Sequence, residues 1–311
     1  MAEMRLTHRQ IEAFRALMLT GSMTEAARLL SVTQPAVSKI ISLLEEEVGF
    51  SLFDRRQGRL SPTDEAYILF SEVKQSYSGL DRIARTAKRI LNGTGGSLRL
   101  AILPTLATGF IVKVAQRLYD KNQNMQLSLQ AYGSEEIADL VASGFYDLGF
   151  ATTPIDSARV QVGPVLSVPS FCLLPPQHQL AQQSKVSVID LEGEKFIAIA
   201  EGVPSRLRAD ALFTSLNVTR DILIEARWSL TVSELVHAGL GCSIVDGFTA
   251  FTFARHGGIV RPLRENLDFT FVQVTRRSST RSAALTQFQE AFDIEFEDFR
   301  TRLLTGEFIT A

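Results

Sequence analysis

Residues 22–63, SMTEAARLLSVTQPAVSKIISLLEEEVGFSLFDRRQGRLSPT, leave few folds open. Two short helical patterns are separated by the polar triplet SVT, which is room for a tight turn and nothing more. The first pattern turns Ala26, Ala27 and Leu30 inward, and paired small side chains let two helices cross closely. Val32 is placed to plug the gap between them. Thr33 stands at the cap of the next helix, and Pro35 falls in its first turn, where a missing N–H costs nothing. Val37, Ile40, Ile41 and Leu44 recur at helical spacing on a buried face, leaving Gln34, Ala36, Ser38 and Lys39 on the other. Gly49 ends that helix, Phe50, Leu52 and Phe53 anchor a short strand, and Arg55, Arg56 and Arg59 ride a tight turn around Gly58.

Upstream, residues 6–20 form a further amphipathic helix with Leu6, Ile11, Phe14, Leu17 and Met18 on one face, Thr7 at its cap and Gly21 at its end. Three helices followed by a basic strand turn outline a winged helix-turn-helix. In that arrangement the N-terminal half of the third helix reaches base edges in the major groove. Gln34 suits adenine, Ser38 suits either partner, and Ala36 suits a thymine methyl. Thr33, Pro35 and Lys39 complete the expected contact surface, with Lys39 and the three arginines on phosphate. Taken singly, each residue is better read as a solvated polar side chain; the combination with the two preceding helices and the wing is what favours DNA.

Net charge does not oppose this. The 311 residues sum to −2, which argues against a non-specific coat on nucleic acid. Residues 1–92 sum to +2 and residues 93–311 to −4, the sign expected if only the N-terminal part meets phosphate.

Residues 64–92 read as one long helix with Phe70, Val73, Tyr77, Leu80, Ala84, Ala87 and Leu91 on a heptad seam. A small winged domain cannot cover a seam of that length, so a second copy of the chain is expected against it, and packing on the C-terminal domain is the alternative. Residues 93–97, within NGTGGS, read as a hinge. From 98 to 311 strands and helices alternate, which implies a mostly parallel sheet covered on both faces. Strands are expected at 162–167 and 170–175 with no helix between them, as in two lobes joined by crossing strands: lobe I at 98–167 and 267–304, lobe II at 168–266. The expected fold class is thus α+β and multidomain, with the winged helix-turn-helix in residues 1–63.

The motifs LTHRQIEAF, GSMTEAARLLSVTQPAVSKIISLLEEEVGFSLFDR, RLSPT, YDLGFA and VHAGLGCSIVD resemble the LysR-type transcriptional regulators along essentially the whole chain. The segments EAFRALMLTGSMTEAA, YSGLDRI and FCLLPPQHQLA are most similar to the regulators of lysine biosynthesis and of opine (octopine and nopaline) use. The resemblance implies a periplasmic-binding-protein-like (type 2) effector domain, a homodimer or a dimer of dimers, and control of a nearby promoter, where RNA polymerase is a possible partner. Where the family usually carries a glycine early in the linker helix, this chain has Ala66, the better helix former.

Ligands of two-lobed α/β domains sit at the carboxyl ends of strands, where helix N-termini favour anions. Pro104, Thr105, Ser134, Thr152, Thr153, Glu201, Gly202, Ser205, Arg206 and Asp246 fall at such ends. Hydroxyl donors, an arginine for a carboxylate, and Glu201 or Asp246 for an ammonium outline an amino acid or opine. Ordinary helix capping explains each hydroxyl alone, and Arg206 is equally a surface arginine. Trp228 either walls the pocket or packs in the core.

Enzymatic motifs are missing: no GxSxG, no GxxxxGK[ST] and no metal-spaced His/Cys cluster. No catalytic residue, metal or cofactor is therefore expected. Cys172 and Cys242 read as buried reduced thiols. With neither a signal peptide nor a membrane span in view, the expected location is cytoplasmic. The alternatives are an α/β solute-binding or enzymatic domain with an accessory helix-turn-helix, and an architectural DNA binder without an effector.

Overall fold

The computed structural model describes residues 5–56, 59–91, 96–277 and 282–308. The chain divides into two compact units, Met1–Ala87 and Lys88–Ala311.

The first unit contains α1 (His8–Thr20), α2 (Met23–Leu29), α3 (Gln34–Val48), β1 (Phe53–Arg56), β2 (Arg59–Pro62) and the start of α4 (Asp64–Leu91). Thr7 and Gln10 close a capping box on α1, and Gly21 ends it at φ +65°, a conformation glycine takes without Cβ strain. Ser22 caps α2, whereas Thr33 holds the cap position of α3 without a side-chain cap bond. Phe14 is fully buried at the centre, edge-on to Phe53 of the wing and Phe70 of α4 at ring distances of 6.0 and 6.2 Å. Glu45 ties α3 to the wing, its Oε1 accepting from the Leu52 and Phe53 N–H groups at 2.7 and 3.1 Å. Ala66 is fully buried, so its methyl packs in this core as well as favouring helix.

Two expectations for this unit change. The backbones of Arg55, Arg56 and Arg59 lie in the paired strands β1 and β2, because the ladder runs on to Arg56↔Arg59. Only residues 57–58 are left to the turn, and these, with the three arginine side chains, lie outside the described residues. On α4, the first part of the seam turns into its own unit. Val73 is buried, Phe70 meets Phe14, and Tyr77 lies against His8 under the Arg15 guanidinium. The start of α4 thus packs on α1. Among the described side chains of α4, Tyr67, Ile68 and Ile83 are the exposed large apolar ones; Ala87 is exposed, and the Leu80, Ala84 and Leu91 side chains lie outside the described residues. So do residues 92–95 of the expected hinge.

The second unit runs β3 (Ser97–Ile102), α5 (Phe110–Lys121), β4 (Gln126–Ala131), α6 (Ser134–Ala142), β5 (Leu148–Thr152), β6 (Val160–Leu174), β7 (Lys195–Ile199), α7 (Pro204–Ser215), β8 (Asp221–Ala226), α8 (Ser229–His237), β9 (Ser243–Asp246), α9 (Gly247–Arg255), β10 (Ile259–Pro262), β11 (Asp268–Arg276) and α10 (Ala283–Thr305). A seven-stranded sheet orders them β10-β6-β11-β5-β3-β4, with β9 also on β6, and β7 pairs β8 separately. β3 is parallel to β4 and β5, while β11 is antiparallel to β5 and β6.

The two strands expected at 162–167 and 170–175 are one strand, β6. Pro164 had marked a break. Between Val162↔Val274 and Val165↔Val272 the register shifts, so Gly163 and Pro164 stand opposite the single Gln273. This bulge absorbs a residue that has no N–H to donate. Up to Pro169 β6 pairs with β11, and from Ser170 it pairs with β9 and β10. One core runs through both lobes. Phe110, Phe271, Phe292, Phe296 and Phe299 pack on one another and on Phe248 of α9, whose ring stacks on Phe299 at 4.9 Å and 4°. A second cluster around Phe196, Phe213 and the two free, buried cysteines fills lobe II. Burial pushes Cys172 up, and Cys242 to about 12, which keeps both thiols protonated at neutral pH. Among the described residues no helix is long and apolar enough to cross a membrane.

Two substitutions test this account. A Cβ at Gly149 would stand 2.5 Å from Ile137 Cγ2 and 2.8 Å from Val274 Cγ2, so Gly149→Ala is expected to cost about 1–3 kcal/mol, read as a lower midpoint in urea. Glu45→Ala leaves two amides without their acceptor, and hydrogen exchange is expected to quicken at Leu52 and Phe53 while the α1 amides keep their protection.

Candidate nucleic-acid interface and effector crevice

In the first unit, α3 presents Thr33, Gln34, Pro35 and Lys39 to solvent and holds Ala36 and Ser38 half-buried beside them. Val37, Ile41 and Leu44 anchor the opposite face. The exposed row begins at the helix N-terminus, where free N–H groups and the macrodipole favour an anion. Because Thr33 makes no cap bond, its hydroxyl is not committed to the helix.

In the second unit the strand-end residues form pairs. Thr105 does not open an α-helix. It lies in a short 3-10 turn at Pro104–Ala107, and Gly109 at φ +78° separates that turn from α5. Its buried hydroxyl donates to Asp246 and lies 3.0 Å from the Thr249 hydroxyl. Asp246 also caps α9 through the Thr249 N–H at 2.9 Å and accepts from the Thr249 hydroxyl at 3.0 Å. The carboxylate expected to hold an ammonium is therefore filled by donors from the protein. Ser134 and Thr152 share a 2.6 Å hydroxyl contact, and Thr153 makes the same contact with Thr270. Half-buried Pro104 leads into the Thr105 turn. Gly202 takes φ +79° in the turn before α7, and the Glu201 side chain is 83% exposed, 4.0 Å from Arg206.

Arg206 is the main correction. It is neither a surface arginine nor a free clamp. Its Nη1 donates to the Ile199 carbonyl and to Glu225 at 2.6 Å each, and its Nε to both Asp210 oxygens at 2.8 and 3.0 Å. Arg220 donates to Asp210 too and lies over the Phe213 ring at 4.2 Å. Burial raises the Asp210 carboxyl, but hydrogen bonds from the two arginines outweigh it and hold the group below its usual range. Folding brings these partners together from β8 and a later turn of α7, which spacing along the chain did not reveal. Trp228 does not pack in the core either: at the cap of α8 it is 37% exposed, with the Arg227 guanidinium 5.2 Å from its ring.

A small cleft, partly open to solvent, lies beside the point where β6 changes partners. Phe196, Ile199, Ile244, Leu267 and Phe269 supply apolar wall, and Ser170, Ser205, Ser229 and the Arg206–Arg220 pair supply polar wall. Ser205, Arg206 and Asp246 alone of the expected effector residues line it. Ser170, Ser229 and Arg220 were missed. So were two arginines that cross from lobe II to lobe I: Arg208, whose Nη1 reaches the Thr153 carbonyl at 3.4 Å, and Arg227, whose Nη2 lies 3.2 Å from where a Cβ would stand on Gly133. The signal for Arg208 was its spacing of three from Ser205, which puts both on one helical face.

Comparison with known proteins agrees with both units. Residues 8–67 match the bacterial regulatory helix-turn-helix protein, lysR family, and residues 91–296 match the LysR substrate binding domain. The chain is 37% identical to the regulatory protein NocR of Agrobacterium fabrum over 91% of this chain and 94% of that one. It is 34% identical to the transcriptional activator protein LysR of Escherichia coli, over 92% and 91%. With the octopine catabolism/uptake operon regulatory protein OccR of Rhizobium meliloti the identity is 32%, over 95% and 97%. The crystal structure of CbnR, a LysR family transcriptional regulator, shares the fold at a TM-score of 0.73 and 15% identity, covering 93% of this chain and 99% of that one. With an N-terminal helix-turn-helix, a C-terminal substrate-binding fold and relatives of this identity along nearly its whole length, the chain belongs to the LysR family of DNA-binding transcriptional regulators with an effector-binding domain.

Proposed function

We propose that the chain binds promoter half-sites as a dimer and is switched by a carboxylate-bearing amino acid or opine held in the crevice of its second unit. The observation that carries the effector class is the crevice wall, where Ser170, Ser205, Ser229 and Arg220, whose Nη1 meets no acceptor, stand among apolar side chains. The relative named for octopine catabolism and uptake supports an opine or its parent amino acid.

On the DNA side, Gln34, Ala36 and Ser38 read base edges, while Thr33, Pro35, Lys39, Arg55, Arg56 and Arg59 set the backbone position. The partner is double-stranded DNA, and self-association runs along α4 through Tyr67, Ile68 and Ile83 together with Leu80, Ala84, Ala87 and Leu91. A dimer of dimers and an approach to RNA polymerase follow the family pattern. The effector shifts the balance of arrangements on DNA only by its differential affinity for them.

Footprinting of the operator region with and without L-lysine, L-arginine and octopine tests the switch. A footprint altered by one of them is expected, and an identical footprint throughout makes the protein a ligand-independent DNA binder. Gln34→Ala is expected to relax base preference at one position of each half-site, at a cost of about 1–3 kcal/mol on the preferred site. Arg55→Ala is expected to weaken all sequences alike and to lower the slope of log K against log salt by about one. An unchanged preference in Gln34→Ala removes α3 as the reader.

A further inference from the structure

Arg208 is the arginine of α7 that the protein does not satisfy. Its neighbour Arg206 spends its donors on Asp210, Glu225 and the Ile199 carbonyl. Arg208 sends Nη1 to the Thr153 carbonyl of lobe I at 3.4 Å, whereas its Nε and Nη2 are shielded from solvent and meet no acceptor. Those two N–H groups are adjacent on one edge of a planar cation. That is the edge on which a carboxylate docks, one oxygen to each nitrogen. Arg208 shares a face of α7 with Ser205, which lines the cleft; the Arg208 side chain lies outside that wall, against lobe I at Thr153.

The surroundings narrow the ligand. Burial pulls the Arg208 guanidinium down, and the charge of Asp268 at the start of β11 opposes that pull without a hydrogen bond to the two N–H groups. Asp268 itself is exposed, between Leu267 and Phe269, which form part of the cleft wall. A cation edge awaiting an anion, with a carboxylate beside it, matches a zwitterion better than a dianion.

We propose that the Nε–Nη2 edge of Arg208 is the carboxylate seat of the effector and that Asp268 takes the adjacent ammonium, so that the ligand is an α-amino acid or an N-substituted α-amino acid. The inference rests on the reading of the crevice as the effector site. Since Arg208 stands on lobe II and its Nη1 already touches lobe I, a carboxylate there joins the lobes through one side chain.

The test is calorimetric titration of the full-length protein and its variants with L-lysine, L-arginine, octopine, L-argininamide and inorganic phosphate. Wild type is expected to bind at least one of the three carboxylates and to ignore the amide, which lacks the carboxylate, and phosphate. Arg208→Gln is expected to weaken that binding about 10- to 100-fold. Its ligand-free melting temperature should be equal to wild type or higher, because a half-buried cation with two shielded, unsatisfied N–H groups has been removed. Arg208→Lys, which keeps the charge but loses the fork, should still bind about tenfold more weakly than wild type. Arg208→Gln or Arg208→Lys binding within twofold of wild type overturns the seat and leaves the effector reading standing. Phosphate or the amide binding as well as the carboxylates overturns the ligand class. A wild-type protein that binds none of the three carboxylates overturns the effector reading and the seat with it.

Discussion

The backbone ladder of β6 is the constraint on which the second unit depends. One strand pairs with β11 as far as Pro169 and with β9 and β10 from Ser170 onward. Its hydrogen bonds belong to both lobes, so neither lobe can form without fixing the direction in which the other leaves. The residues at the change of partner are those that border the cleft: Ser170, its partner Asp246, and Leu267 and Phe269 on the returning strand. The crevice is thus a product of the topology, and the side chains around it are held by the same ladder that builds the lobes.

Polar pairs between loops reinforce that geometry. Thr105 comes from the end of β3 and Asp246 from the end of β9, 141 positions apart, and their buried bond joins the first loop of lobe I to the cap of α9. Thr152 with Ser134, and Thr153 with Thr270, do the same among β5, α6 and β11. Hydroxyls at strand ends therefore serve the scaffold first. The arginines divide the labour differently: Arg206 is spent on Asp210, Glu225 and the Ile199 carbonyl, Arg220 gives Nη2 to Asp210 and keeps Nη1 without an acceptor, and Arg208 and Arg227 reach across to the facing lobe.

What was legible in the sequence follows the range of the interactions. The helices of the first unit could be read because their caps, their apolar periodicity and the glycines that end them act over three or four residues. Thr7 with Gln10, Gly21 and Gly49 are local facts. The α/β character of the second unit was legible for the same reason. Reading failed where a distant partner decides the outcome. Arg206 looked free because Glu225 lies 19 positions away on β8. The heptad seam of α4 looked unpartnered because Phe14, Phe53 and Phe70 meet only after folding. Pro164 looked like a strand end because a bulge is a property of two strands, and a single sequence window shows only one.

The stacked rings of Phe248 and Phe299 limit how the crevice can open. Phe299 stands on α10, which packs along lobe I, and Phe248 stands on α9 of lobe II; Leu303 closes on Gly247, and Phe308 beyond the helix packs on Phe171 and Phe251. A bending motion that parted the lobes like a book would pull these surfaces off one another and wet a close-packed aromatic core. Separation of the lobes at this seam is therefore opposed by the same rings that build the core.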